Sequence, residues 1–260
     1  MIRLTVLGAC GTYPSAGRAC SGYLLEADDG GQTARVWVDT GSGTLANLLR
    51  FAELPGLDAI WVSHLHVDHL SDLPVANYAL RYGFDPQPAR VPVLGPSGWA
   101  EHVRDFMATG DVDPVEAAFE IHELHDGERI EFGPLRLEAV ATVHSIETYG
   151  VRASAAGATV AYSADSGPCD SLGRLAEDAD LFVCEAAWAT WPADTEPIHM
   201  TPSLAGQWAA EARARRLLLT HLRPGADPDA ALHRASDTFG GPVDIAVELA
   251  VHEVGGRIGR

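Results

Sequence analysis

The feature that most constrains this chain is a six-residue segment, His-Leu-His-Val-Asp-His, which begins at His64 and directly follows an apolar run at residues 59–63. A short β-branched and aromatic run of this kind predicts a buried strand. If the strand continues in an extended conformation, His64 and His66 point the same way, because side chains alternate faces with period two. Asp68 and His69 begin a helical pattern and can face another direction. One segment can therefore offer ligands to two neighbouring metal ions, with zinc favoured and manganese or iron as rivals.

The segment resembles the HxHxDH signature of the metallo-β-lactamase-fold hydrolases, and the resemblance extends along nearly the whole chain. Five further blocks occur in the family order: a first strand and glycine turn at 4–12, a strand with a terminal aspartate at 36–43, a third histidine at 144, a bridging-aspartate block at 162–166 and a last ligand at 220–221. The resemblance implies an α/β fold, the αββα sandwich of two mixed sheets flanked by helices. It also implies one hydrolase domain over residues 1–260.

The resemblance implies two divalent metal ions, zinc or alternatively manganese, and catalytic zinc takes about three protein ligands with one position open for water. One predicted set is His64, His66 and His144, and the other is Asp68, His69 and His221. Asp165, at the end of an apolar run, has a carboxylate able to bridge the two ions. Taken singly, His144 would be better explained as a histidine that closes a strand with an ordinary hydrogen bond, and it is the six-residue segment that favours the ligand role. Asp39 either orients a ligand histidine or makes hydrogen bonds in the turn before Gly41, and we favour the first role.

Hydrophobic periodicity independently predicts the sandwich, because many strands, some alternating and some continuously apolar, are interspersed with helices. Strands are predicted at 2–7, 22–27, 34–39, 59–63, 119–124, 128–132, 135–141, 150–155, 158–163, 180–185, 216–220 and 243–247. Helices are predicted at 44–53, 70–82, 97–108, 171–177, 202–215 and 228–238.

A second motif lies downstream of the predicted ligands. An apolar strand delivers Glu185, and His199 precedes a helix for which Thr201 is the expected N-cap. The free N–H groups and positive dipole of a helix N-terminus favour phosphate. The pair resembles the Glu-and-His element of the ribonuclease Z-like branch, where the histidine contacts phosphate and the carboxylate positions it. The alternative is a structural loop histidine. For Trp188 and Trp191, packing under a loop is favoured over an aromatic wall for a base.

The formal net charge of −18 counts against a broad nucleic-acid surface, whereas a small anionic substrate remains compatible with two metal ions that dominate the local field. Arg213, Arg215 and Arg216 form the one basic cluster, and we expect them late in a helix, where cations complement the dipole. No apolar run is long enough to span a membrane. The N-terminus shows no secretion signal and the four cysteines show no CxxC spacing, so we expect a cytoplasmic protein without disulfides.

True ribonuclease Z enzymes carry a long tRNA-gripping arm between the third histidine and the bridging aspartate. Here residues 145–164 predict only a hairpin that turns at Gly157, so the chain is similar to armless bacterial relatives that cleave cyclic nucleotides. We expect a dinuclear phosphodiesterase for small phosphodiesters, most of all cyclic nucleotides, with attack by a metal-bound hydroxide. Asp68, His199 and Glu185 are the expected catalytic residues. The alternatives are an RNA 3′-end endonuclease, a carboxylic ester or lactone hydrolase, and a non-catalytic binding module. The relatives also imply a homodimer.

Overall fold

The computed structural model describes residues 1–107, 114–191 and 196–255 and stacks them as two β-sheets between two layers of helices. The predicted fold class, an αββα sandwich, is confirmed. The strands are β1 Ile2–Gly8, β2 Gly22–Asp28, β3 Thr33–Val38, β4 Ala59–Trp61, β5 Val91–Gly95, β6 Phe119–Glu123, β7 Arg129–Phe132, β8 Leu135–Ala141, β9 Tyr149–Ala155, β10 Ala158–Tyr162, β11 Leu181–Glu185, β12 Leu217–Thr220, β13 Val243–Ile245 and β14 Val251–Val254. The helices are α1 Thr44–Leu48, α2 Val67–Leu70, α3 Leu73–Tyr82, α4 Trp99–Met107, α5 Asp170–Ala176, α6 Pro202–Glu211 and α7 Pro228–Phe239.

Each sheet has seven strands and is half antiparallel and half parallel. The first sheet has the order β14-β1-β2-β3-β4-β5-β6, with antiparallel pairs from β14 to β3 and parallel pairs from β3 to β6. The second has the order β13-β12-β11-β10-β9-β8-β7, with antiparallel pairs from β7 to β10 and parallel pairs from β10 to β13. The parallel half of each sheet therefore brings the carboxyl ends of several strands to one edge.

Three apolar layers hold the sandwich together. Between the two sheets, alternate residues of β8 such as Leu135 and Leu137 point inward, while intervening residues are more exposed. The outer face of the first sheet packs on α1, α3 and α4 around Trp37 and Trp99. The outer face of the second packs on α5, α6 and α7 around Phe182. Because helices cover both outer faces, parallel strands such as β11 and β12 are buried at every position, as their continuously apolar sequences require.

Most predicted elements are found within a few residues of their expected bounds, and the differences have local causes. The predicted helix at 70–82 is found as α3, and the short helix α2 before it is separate, because Pro74 in the first turn of α3 cannot donate a backbone hydrogen bond to the preceding turn. Strand β5 was not predicted, since Pro92 interrupts its short apolar run. Strand β14 was not predicted either, because it is a short and largely exposed edge strand.

The predicted position of the basic cluster is wrong. Helix α6 ends at Glu211, so Arg213, Arg215 and Arg216 lie after it and not in its last turn. Arg213 has a φ of 57°, the left-handed conformation that often terminates helices. The three guanidinium groups instead pair with surface carboxylates, those of Asp178, Asp180 and Asp244 at 3.0, 3.0 and 3.3 Å.

The described residues contain no helix that is both long and apolar enough to cross a membrane. All four cysteines lie in the described part of the chain and carry free thiols, as predicted. Cys10, Cys20 and Cys184 are buried, and burial raises the pKa of Cys20 to about 12, which keeps this thiol protonated and weakly reactive.

Candidate metal centre

The predicted ligands converge where parallel strands of the two sheets end. In the second sheet, Asp165 follows β10, Glu185 ends β11 and His221 follows β12, and these three strands are neighbours. In the first sheet, Asp39 follows β3 and the histidine-rich segment beginning at His64 follows β4. The carboxyl ends of parallel strands are the usual place for a ligand site in α/β sheets.

The first predicted set forms one group. One donor atom from each of His64, His66, His144 and Asp165 lies within 4.8 Å of the others. His144 Nε2 is 3.1 Å from His66 Nδ1 and 3.9 Å from Asp165 Oδ2, and His64 Nε2 is 3.8 Å from the same carboxylate oxygen. His64 is buried and His66 is half-buried.

The second predicted set lies directly beside the first. Donor atoms of Asp68, His69 and His221 also lie within 4.8 Å of one another. His221 Nε2 is 3.1 Å from Asp68 Oδ2 and 3.2 Å from His69 Nε2. Asp165 Oδ1 is 3.3 Å from both His69 Nε2 and His221 Nδ1. One carboxylate, that of Asp165, therefore turns an oxygen toward each set.

The donor atoms fit divalent metal ions. Among the described residues, three buried atoms of the cluster have no hydrogen-bond partner: His64 Nε2, Asp165 Oδ1 and His221 Nδ1. A buried polar atom without a partner costs about 1–3 kcal/mol, and a cation bound by these lone pairs removes that cost. Burial lowers the pKa of His64 well below its usual value and that of His144 to about 4. Both rings are therefore neutral, which is the form that binds a metal.

Asp39 supports both predicted ligand sets through hydrogen bonds. Its Oδ2 accepts a hydrogen bond from His69 Nδ1 at 2.7 Å, so Nε2 of that ring faces the cluster. The same carboxylate accepts from the Ser63 amide at 2.8 Å and the Ser63 hydroxyl at 2.9 Å, and that hydroxyl is 3.0 Å from His64 Nδ1. Tyr162 also donates its hydroxyl to Asp39, at 2.8 Å. A buried carboxylate thus fixes one histidine of each set, the orienting role favoured from the sequence.

Two contacts that position residues of the cluster were not predicted, one from Tyr162 and one from the backbone of Thr12. Tyr162 was noted only as part of the block that ends in the bridging aspartate, and its partner Asp39 belongs to the other sheet. The backbone N–H of Thr12 donates to Asp68 Oδ2 at 2.7 Å. Thr12 has a φ of 69°, and this backbone contact leaves no side-chain signal in the sequence.

The Glu185–His199 pair forms as predicted, at the rim of the cluster. Glu185 is fully buried, and its Oε1 accepts from His199 Nδ1 at 2.8 Å and from the Ser166 amide at 2.9 Å. Burial acts to lower the pKa of His199, but the hydrogen bond and charge of Glu185 outweigh it and raise this pKa above its usual value. Thr201 caps α6, as expected, by accepting from the Leu204 amide at 3.3 Å.

One segment holds both His199 and a predicted ligand. The carbonyl of Ile198 accepts from His144 Nδ1 at 2.8 Å, so residues 197–199 fix the orientation of both histidines. Gly167 lies against this segment, and a Cβ at that position would be 1.9 Å from the Pro197 carbonyl oxygen. His199 itself also has a nitrogen within 4.8 Å of donor atoms of Asp165 and His221, so the assignment of His199 to substrate rather than metal stays a prediction.

Comparisons with known proteins agree with this geometry. Residues 34–222 match the family model for the β-lactamase superfamily domain. The protein ML1173 of Mycobacterium leprae is 35% identical over 249 residues, covering 95% of this chain and 86% of that protein. The probable metallo-hydrolase YhfI of Bacillus subtilis is 30% identical over 261 residues, covering 94% and 97%. Its crystal structure superposes with a TM-score of 0.83 at 29% identity, over 96% of this chain and 98% of that one.

A ribonuclease Z of Myxococcus xanthus is 25% identical over 302 residues, covering 95% of this chain and 96% of that protein. The matches therefore extend over nearly the full length of both partners, and they include the segments that supply the His and Asp cluster. The chain belongs to the β-lactamase superfamily and is a metal-dependent hydrolase.

Proposed function

We propose that this hydrolase is a dinuclear metal-dependent phosphodiesterase for small phosphodiesters, with 3′,5′-cyclic nucleotides as the leading substrates. The observation that carries the proposal is the pairing of two ligand sets across Asp165 with the Glu185–His199 element at their rim. His64, His66 and His144 would hold one ion, and Asp68, His69 and His221 the other. Two such ions, zinc or manganese, would acidify water and stabilise charge on phosphoryl oxygens.

Asp68, Glu185 and His199 would supply the acid–base and phosphate-binding groups. Asp68 Oδ2 is fixed by the Thr12 amide and by His221, which leaves Oδ1 to orient or accept a proton from the attacking water. Glu185 holds Nδ1 of His199, so Nε2 is the nitrogen that meets the substrate. A proton on Nε2 would allow the ring to donate to a phosphoryl oxygen or to the departing oxygen, with Glu185 accepting from Nδ1.

The segment between His144 and Asp165 supports a small substrate. Every residue of it is described, and it consists of a short loop, β9, a two-residue turn at Ala156 and Gly157, and β10. No tRNA-gripping arm is present in it. The net charge of −18 also opposes a polyanion that needs many basic contacts. Both features count against the RNA endonuclease alternative, and the Glu185–His199 pair counts against an ester or lactone hydrolase, which has no phosphate to bind.

The experiment is a substrate panel with purified protein reconstituted with zinc or manganese. It compares cyclic nucleotides, bis(p-nitrophenyl) phosphate, a pre-tRNA and a lactone, each with and without a chelator. His199→Ala is assayed in parallel, with metal content measured by elemental analysis. His233→Ala is the matched control, because the His233 side chain is 79% exposed on α7.

We expect chelator-sensitive opening of cyclic nucleotides, much faster than cleavage of the pre-tRNA trailer. His199→Ala should keep its metal and lose about 10²–10⁴-fold in rate, the range of a general acid or base, while His233→Ala stays like the wild type. Site-specific trailer cleavage without cyclic-nucleotide activity would establish the ribonuclease alternative, and preference for the lactone the ester hydrolase. Metal loss in His199→Ala would make this residue a ligand.

A further inference from the structure

The loop between Glu185 and His199 carries two tryptophans that lead away from the metal centre. The ring centroids of Trp188 and Trp191 are 5.3 Å apart, in an edge-to-face arrangement. The Trp191 ring is in turn 6.3 Å from that of His199, and the His199 ring stacks at 6.0 Å on that of His221. Aromatic rings thus form a continuous series from a predicted metal ligand to the protein surface.

The two rings lie outside the apolar cores that the described residues form. Three other tryptophans belong to these cores and Trp208 packs against one of them, whereas neither Trp188 nor Trp191 belongs to any of the three. Both residues are half-buried, and the Trp191 ring is the one that lies near His199. An aromatic face placed in this way, next to a polar centre, is a common means of binding a flat ligand.

Arg223 supports the outer end of the series. Its guanidinium carbon lies 4.4 Å from the centroid of the Trp188 ring, which is a cation–π contact. The residue follows His221 by two positions, so the segment after β12 supplies both a predicted ligand and this cation. No carboxylate of the described residues forms an ion pair with Arg223, whereas many other arginines of this acidic chain are paired. Its positive charge therefore stays available to an anionic ligand.

We propose that Trp191, backed by Trp188 and Arg223, is the surface on which the nucleobase of the substrate stacks. The proposal rests on the phosphodiesterase function. A phosphate held by His199 places the base of a cyclic nucleotide one sugar ring further out, and Trp191 is the ring next to His199 in the series. Every nucleobase has a π-face, so stacking selects nucleotides over phosphodiesters that lack a base, with little preference among bases.

The test compares two variants. Trp191→Leu removes the aromatic ring, and Trp191→Phe retains one. Each is assayed with 3′,5′-cyclic AMP, 3′,5′-cyclic GMP and methyl riboside 3′,5′-cyclic phosphate, which keeps the reacting ring but has no base. Binding of AMP and of ribose 5-phosphate to the metal-loaded protein is measured by calorimetry, so that recognition is followed independently of turnover. Trp208→Leu, a substitution on α6 outside the loop, is the control.

We expect Trp191→Leu to raise KM for both cyclic nucleotides about tenfold, to weaken AMP binding similarly and to leave both baseless ligands unchanged. Trp191→Phe should keep most of the wild-type KM and AMP affinity. Any effect of Trp208→Leu should be the same for ligands with and without a base. Equal effects of Trp191→Leu on both kinds of ligand, or no effect, would overturn the stacking role. If the wild type opens no cyclic phosphate, the phosphodiesterase proposal fails by itself, and the AMP and ribose 5-phosphate arm still decides whether Trp191 binds a base.

Discussion

Replacing Asp39 by asparagine tests whether one buried carboxylate organises both ligand sets. Asp39 is fully buried and accepts four hydrogen bonds: the Ser63 amide on Oδ1, and the Ser63 hydroxyl, His69 Nδ1 and the Tyr162 hydroxyl on Oδ2. Asparagine has almost the same shape but only one acceptor oxygen. With its carbonyl in the Oδ2 position, its NH₂ group takes the place of Oδ1 and faces the Ser63 N–H. Two hydrogen-bond donors then face each other, where the Ser63 N–H previously donated to Oδ1.

The expected magnitudes follow from these contacts. One buried N–H without a partner costs about 1–3 kcal/mol, and the bond from His69 loses its charge assistance, which is worth about 1 kcal/mol more. The metal-free protein should therefore lose about 2–4 kcal/mol of unfolding free energy, a fall in Tm of roughly 4–16 °C for a chain of this size. Because the contacts that orient His69 and, through Ser63, His64 are weakened, metal affinity should fall about 10–100-fold.

Two measurements check the prediction. Competition with a chromogenic chelator gives the metal Kd, and thermal melts in excess chelator give the stability of the metal-free protein, so that the two effects are separated. Asp105→Asn is the matched control, since Asp105 is an exposed carboxylate on α4 that belongs to neither ligand set. A Kd and a metal-free Tm that both equal those of the control would refute the orienting role of Asp39.

Two further predictions concern the cluster and its support. Asp165→Ala should lower metal content and abolish turnover while circular dichroism shows a retained fold, because Asp165 turns an oxygen toward each ligand set; full metal occupancy with normal activity would remove it from the site. Gly167→Ala should push Pro197 outward, shift His144 and His199 together and reduce kcat about 100-fold, the scale expected for a displacement near 1 Å. Gly56→Ala, where a Cβ meets no atom within 4 Å, is its control, and equal activities of the two variants would contradict the steric argument.

The sequence by itself determined the fold class and the ligand types. The segment beginning at His64 follows a buried strand, and its spacing of histidine and aspartate has few uses other than metal binding. Period-two and continuously apolar runs separated by helices specified two covered sheets. A strand buried on one face has alternating apolar residues, and a strand buried on both faces is apolar throughout. The cap at Thr201 was equally local, since an N-cap depends on only three or four successive residues.

Only the tertiary structure decided how distant residues meet. The hydrogen bond from Tyr162 to Asp39 joins the two sheets. The backbone N–H of Thr12 donates to Asp68, which is 56 positions further along the chain. The types of these residues do not predict either contact. The end of α6 before Arg213 and the series from Trp188 to His199 likewise depend on neighbours from other elements. The physical reason is that short-range pattern reports which face of an element is buried, whereas register, chain crossing and side-chain orientation are fixed only when the two sheets pack.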